Sequence, residues 1–107
     1  MRLEVTALPE DPLAASAAFH ASWLERAENA LGRGDLLLVF APADHTHQGW
    51  RGAVIASLAR KHAPARVNAV ASSDAAAIAD AERYFVAAHG VTGQSFALDS
   101  IGAGDVA

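Results

Sequence analysis

The 107 residues suffice for one domain with one core and leave no room for two, since domains commonly run to about 100–150 residues. A hydrophobic share of 52% against 19% charged excludes intrinsic disorder, and eight Lys and Arg scattered among twelve Asp and Glu, net charge −4, argue against a nucleic-acid surface. The chain has no cysteine, which excludes disulfides, thiolate metal sites and thiol catalysis; it also has no apolar leader, and no stretch approaches the ~18 apolar residues of a bilayer span, so a cytoplasmic protein is expected.

From the N-terminus, Leu3, Val5 and Ala7 alternate with Arg2, Glu4 and Thr6, which predicts a strand over residues 2–8 with one wetter face, an edge strand. Pro9 and Pro12 close it, and Asp11 is placed to cap a helix in which Phe19, Trp23, Ala27 and Leu31 recur at helical spacing before Gly32 and Gly34. Residues 35–41 are nearly all apolar, the pattern of a strand covered on both faces, and Pro42 stops them. A polar loop over residues 43–48 precedes a second helical stripe of Trp50, Val54 and Leu58 that ends before Pro64. Residues 66–71 read as another buried strand. Ser73 or Asp74 can cap a third helix carrying Ile78, Ala81 and Phe85 and closing at Gly90, and residues 94–99 read as a last short strand. The order β-α-β-α-β-α-β predicts an α/β fold of three layers, α/β/α, in which right-handed crossovers build a parallel sheet of about four strands.

Two stretches carry a family resemblance. Residues 66–71, Arg-Val-Asn-Ala-Val-Ala, resemble the "RVNAVAPG" strand of the short-chain dehydrogenase/reductase family, and Val91-Thr-Gly-Gln94 followed by Asp99 resembles its final "VTGQ…VDGG" strand. Between them lies a helix similar to that of the family, and residues 32–39 and 53–60 resemble the preceding strand and helix. The resemblance covers most of residues 32–104 and implies the C-terminal half of a truncated Rossmann-like sheet, without the cofactor-binding half. In the family a glycine-rich turn after the first strand meets the dinucleotide pyrophosphate at a helix N-terminus. The Gly102 and Gly104 pair has neither a third glycine nor a following helix and cannot serve as that turn. No cofactor is therefore expected to bind this chain.

The resemblance also implies where catalysis would sit. In register with the family's Tyr and the Lys four residues after it stand His47 and Arg51; the strand end where Ser is expected reads Phe40-Ala41-Pro42, and the Pro-Gly that borders the nicotinamide is replaced by Ser72-Ser73. A guanidinium that does not deprotonate cannot be assumed to inherit the Lys role, so His47 and Arg51 remain weak catalytic candidates. The loop that holds Asp44, His45 and His47 follows the C-terminal end of a central strand, where open α/β sheets bind ligands. These three residues are the ligand-binding candidates; with no distant further ligand, no metal is expected, and the plainer reading is a solvated loop that caps the next helix through Thr46. His62 and His89 stand near helix ends, where they can complement terminal carbonyls.

Trp23 and Trp50 are core by default, yet aromatic residues are enriched at interfaces, which makes them the interface candidates. The expected function is a degenerate dehydrogenase-like domain, non-catalytic alone, acting as a homodimer or with a partner protein. Two alternatives are kept: an oxidoreductase subunit whose NAD(P)-binding half comes from another chain, and a small-ligand or metal-binding domain using residues 43–51.

Overall fold

The computed structural model describes residues 1–98, so Asp99, Gly102 and Gly104 lie outside the described residues. In chain order the elements are β1 (Arg2–Glu4), α1 (Pro12–Ser22), α2 (Leu24–Leu31), β2 (Leu36–Phe40), a short 3₁₀ turn (His45–His47), α3 (Gln48–His62), β3 (Val67–Ala71), α4 (Ala75–Ala87) and β4 (Ser95–Ala97). Four parallel strands form one sheet in the order β1-β2-β3-β4, with Leu3 opposite Leu38, Leu38 opposite Ala69 and Ala69 opposite Ser95. No helix among the described residues is long and apolar enough to cross a membrane.

The predicted alternation of helices and strands is present, with three departures. The strand expected over residues 2–8 is cut short because Ala7 takes a left-handed backbone, φ 61°, after Val5 has made a last ladder bond to Val39 O at 2.8 Å. The helix expected across residues 12–31 is two helices. Trp23 leaves the helical region at φ −120°, ψ −25°, although its N–H still reaches Phe19 O and its carbonyl still accepts from Ala27. Neither glycine nor proline marks this break, and the i, i+4 apolar spacing runs straight through it. The third helix ends at Ala87, short of Gly90. Asp11 and Asp74 are the caps: Asp11 Oδ2 accepts from Ala14 N at 2.9 Å, and Asp74 Oδ1 accepts from Ala76 N at 2.9 Å and Ala77 N at 3.3 Å.

Side chains alternate across each strand, and the two faces are buried differently. Leu36, Leu38, Phe40, Val67 and Ala69 point to a large core with Phe19, Ala27, Val54, Ile55 and Leu58 of α1, α2 and α3. Leu37, Val39 and Val70 point to a smaller one with Ile78 and Phe85 of α4. The chain moves across the sheet in one direction throughout, while α4 lies on the face opposite to the other helices. The third crossover therefore has the opposite hand to the first two, and the strong right-handed preference of βαβ units puts the exception at β3-α4-β4. This corrects the expectation of uniformly right-handed crossovers, which in this strand order would have put every helix on one face.

Arg66 anchors that last unit. Its guanidinium donates to Asp35 Oδ2 from Nε (3.0 Å) and NH2 (2.7 Å), while NH1 donates to the terminal carbonyls of α4, Phe85 O at 3.2 Å and Ala88 O at 2.6 Å. Asn68, 3% exposed on β3, holds the loop before β4 from inside: Nδ2 donates to Val91 O and Oδ1 accepts from Gln94 N, both at 3.0 Å.

Candidate functional site

Because the strands are parallel, their C-terminal ends share one rim of the sheet, and the loops that follow β1, β2 and β3 gather there. Phe40, the last residue of β2, is 1% exposed, and Pro42 prevents the ladder from continuing. Asp44 then starts the 3₁₀ turn: Oδ1 accepts from Thr46 N at 3.0 Å and from the Thr46 hydroxyl, a bond that together with the N–H holds its carboxyl below the usual carboxylate range. The cap of this turn is thus Asp44 and not Thr46. The turn runs directly into α3, which puts His47 and Arg51, four residues apart, on one face of the helix start.

His47 is 6% exposed, and both ring nitrogens are engaged: Nε2 lies 2.9 Å from Glu10 O, and Nδ1 lies 3.0 Å from Trp50 Nε1. An indole N–H only donates and a carbonyl only accepts, so the Nε2–H tautomer satisfies both contacts. The ring ties the loop after β1 to α3 and leaves no lone pair for a metal or a substrate proton. His45 and Asp44 are exposed, and no group of three metal-ligating side chains occurs among the described residues.

Arg51 is 9% exposed. Its NH1 donates to Ala41 O at 3.1 Å, its guanidinium carbon stands 4.5 Å from the Phe40 ring centroid and 5.7 Å from that of Trp50, and its Nε is buried with no partner. It makes no ion pair among the described residues. Burial lowers its affinity for the proton below the usual arginine value. Two clefts open on either side of it. One, about 500 Å³, is lined by the loop after β1 from Val5 to Glu10, by Ala41 to Asp44, and by His47 and Arg51. The other, about 370 Å³, shares Ala43, Asp44, His47 and Arg51 and continues to Ser95 and Phe96.

The model of the family described as "Short chain dehydrogenase-like protein" matches residues 3–98. The chain belongs to the short-chain dehydrogenase-like family. No curated protein and no solved structure matches it significantly. Within the short-chain dehydrogenase-like scaffold, the positions singled out in the sequence fall into two groups. Asp44, His47 and Arg51 come together around the two clefts, and Trp50 supports them through its bond to His47. Trp23 lies away from them at the α1–α2 break, half-buried beneath the Arg26 guanidinium at 4.2 Å. His62 Nε2 meets Glu28 Oε1 at 3.0 Å in place of a helix carbonyl.

Sequence reasoning missed the burial of Arg51. The signal was present: His47, Arg51, Val54 and Leu58 share one inward stripe, and a cation on an apolar stripe points to a site. It also missed the part played by Glu10, which meets His47 through its backbone carbonyl, a contact no residue type announces.

Proposed function

We propose that this short-chain dehydrogenase-like domain performs no hydride transfer with these residues and acts by association with a second copy of itself. The observation that carries the first half is the state of His47. A group that exchanges a proton with a substrate oxygen must present a free donor or lone pair within hydrogen-bond reach of it, and both nitrogens of this ring are spent inside the protein. The neighbouring strand end, Phe40-Ala41-Pro42, offers no hydroxyl, and Arg51 stays protonated at any working pH.

Association is supported by apolar side chains left outside both cores. Tyr84 is 57% and Phe96 44% exposed, and each has its ring next to that of Phe85, at centroid distances of 5.1 Å and 5.9 Å. Trp23 and Trp50, by contrast, are half-buried within their own chain, so less of their area remains to be gained. The surface we assign is therefore α4 and β4.

Calorimetric titration with NAD and NADP, together with a spectrophotometric assay of reduced-cofactor oxidation against a panel of ketones and aldehydes, tests the catalytic half. Neither saturable binding tighter than about 100 μM, roughly −5.5 kcal/mol, nor turnover is expected. Turnover abolished by His47→Ala would overturn it.

A further inference from the structure

Arg51 points to a ligand class that goes beyond the reading above. A guanidinium held nine-tenths out of water without an anionic partner carries an uncompensated desolvation cost, and exchanging such a residue for an apolar one of similar volume tends to be neutral or stabilising. This guanidinium is positioned with care: Phe40 and Trp50 wall it, Ala41 O takes one of its donors, and it stands where the two clefts meet. Its Nε has no partner, and its NH2 makes no hydrogen bond to a described residue. Nε is shut off from solvent, so NH2 is the donor left to a ligand in the cleft, by a charge-assisted bond to one carboxylate oxygen.

We propose that the cleft between the loops after β1 and β2 binds a small monocarboxylate with an apolar body, its carboxylate on Arg51 and its body against Val5, Leu8, Pro9 and Pro42. The cleft volume of about 500 Å³ is that of small-molecule sites. The charges at the mouth choose among anions. Glu10 and Asp44 also line this cleft, and Asp44 is held ionised by Thr46, so a ligand with several negative charges, such as a nucleoside triphosphate, meets repulsion that one carboxylate directed at Arg51 largely avoids.

Calorimetry with sodium benzoate and sodium hexanoate as probes, against inorganic phosphate and ATP, tests this in low-chloride buffer. Benzoate or hexanoate is expected to bind saturably with 1:1 stoichiometry and at least tenfold more tightly than phosphate or ATP. Arg51→Met is expected to weaken that binding at least tenfold while its melting temperature stays equal to or above that of the wild type. On the wild type itself, the Arg51 Nε–H resonance, identified by its loss in the variant or by sequential assignment, is expected to shift on saturation with the same probe. The proposal is overturned if neither carboxylate saturates, if phosphate or ATP binds as tightly, if Arg51→Met binds the probe unchanged, or if the Nε–H resonance does not move. An unfolded Arg51→Met would mark the residue as structural, and the resonance of the wild type then decides. None of these outcomes bears on dimer formation or hydride transfer.

Discussion

Asp35 and Glu28 show how single residues couple this fold to pH. The backbone N–H of Arg66, first, and its guanidinium hold the Asp35 carboxyl below its ordinary value; hydrogen bonds from Lys61 and then His62 do the same for Glu28. A carboxyl whose folded pKa lies below its unfolded one adds stability that is whole above the unfolded value, about 4, and that drains away as the pH falls through the folded value, because the unfolded chain takes up protons first. The contribution of these two carboxyls is therefore expected to be constant from pH 7 to about 5 and to fall on further acidification. Asp35 is half-exposed, so solvent screening keeps its share small: Asp35→Asn is expected to cost about 1 kcal/mol at pH 7 and clearly less near pH 3. Scanning calorimetry of both proteins at the two pH values checks this, and an equal cost at both contradicts it. None of these pairings was legible in the sequence, since Asp35 and Arg66 are 31 positions apart and meet only because β2 and β3 start side by side. Asn68 is similar. Its resemblance to the family strand was visible, but its two bonds to the loop before β4 need that loop in place.

Among the elements, β2 and β3 were the most readable, because a strand buried on both faces must be apolar throughout, and residues 36–40 and 67–70 are buried with Asn68 as the one satisfied exception. The break at Trp23 was not readable. A helical stripe reports which side faces the core, and that side is kept when the chain bends between two helices that cover the same sheet face. The shared ground of α1 and α3 is Phe19, which is fully buried and has the rings of buried Phe40 and half-buried Trp50 at centroid distances of 5.8 Å and 5.7 Å. Since Trp50 in turn orients His47, this aromatic cluster links the core to the site. Phe19→Ala is expected to cost about 3–5 kcal/mol, a large part of the ~5–15 kcal/mol typical of a whole domain. Urea unfolding followed by tryptophan fluorescence measures it; a loss under 1 kcal/mol would show that the cluster does not hold α1 to the sheet. The placement of α4 on the far face was hidden too, because the order of strands and helices along the chain is the same for either hand of the last crossover.

At the scale of the whole molecule the two sheet edges differ. On β1, Arg2 pairs with Glu4 at 3.7 Å and with Glu82 at 3.3 Å, so the edge the sequence marked as exposed carries charges of the kind that discourage strand addition. At the other side β4 is Ser95-Phe96-Ala97, all exposed and without charge, and the Phe96 ring stacks on Phe85, which also meets the exposed Tyr84. Burying those aromatic surfaces across a two-fold axis gives about 25 cal/mol per Å², and an isologous contact uses the same patch on both copies. The interface candidates of the sequence are Trp23 and Trp50, because aromatic character is visible in a sequence, whereas the exposure that favours Tyr84 and Phe96 becomes visible only in the fold. Multi-angle light scattering at high micromolar concentration tests this surface directly, with Phe96→Glu and Trp50→Glu each checked for folding by circular dichroism. The expected result is a wild-type dimer that Phe96→Glu converts to a monomer and that folded Trp50→Glu preserves; a monomeric wild type, or a dimer that Phe96→Glu leaves intact, would contradict association through β4.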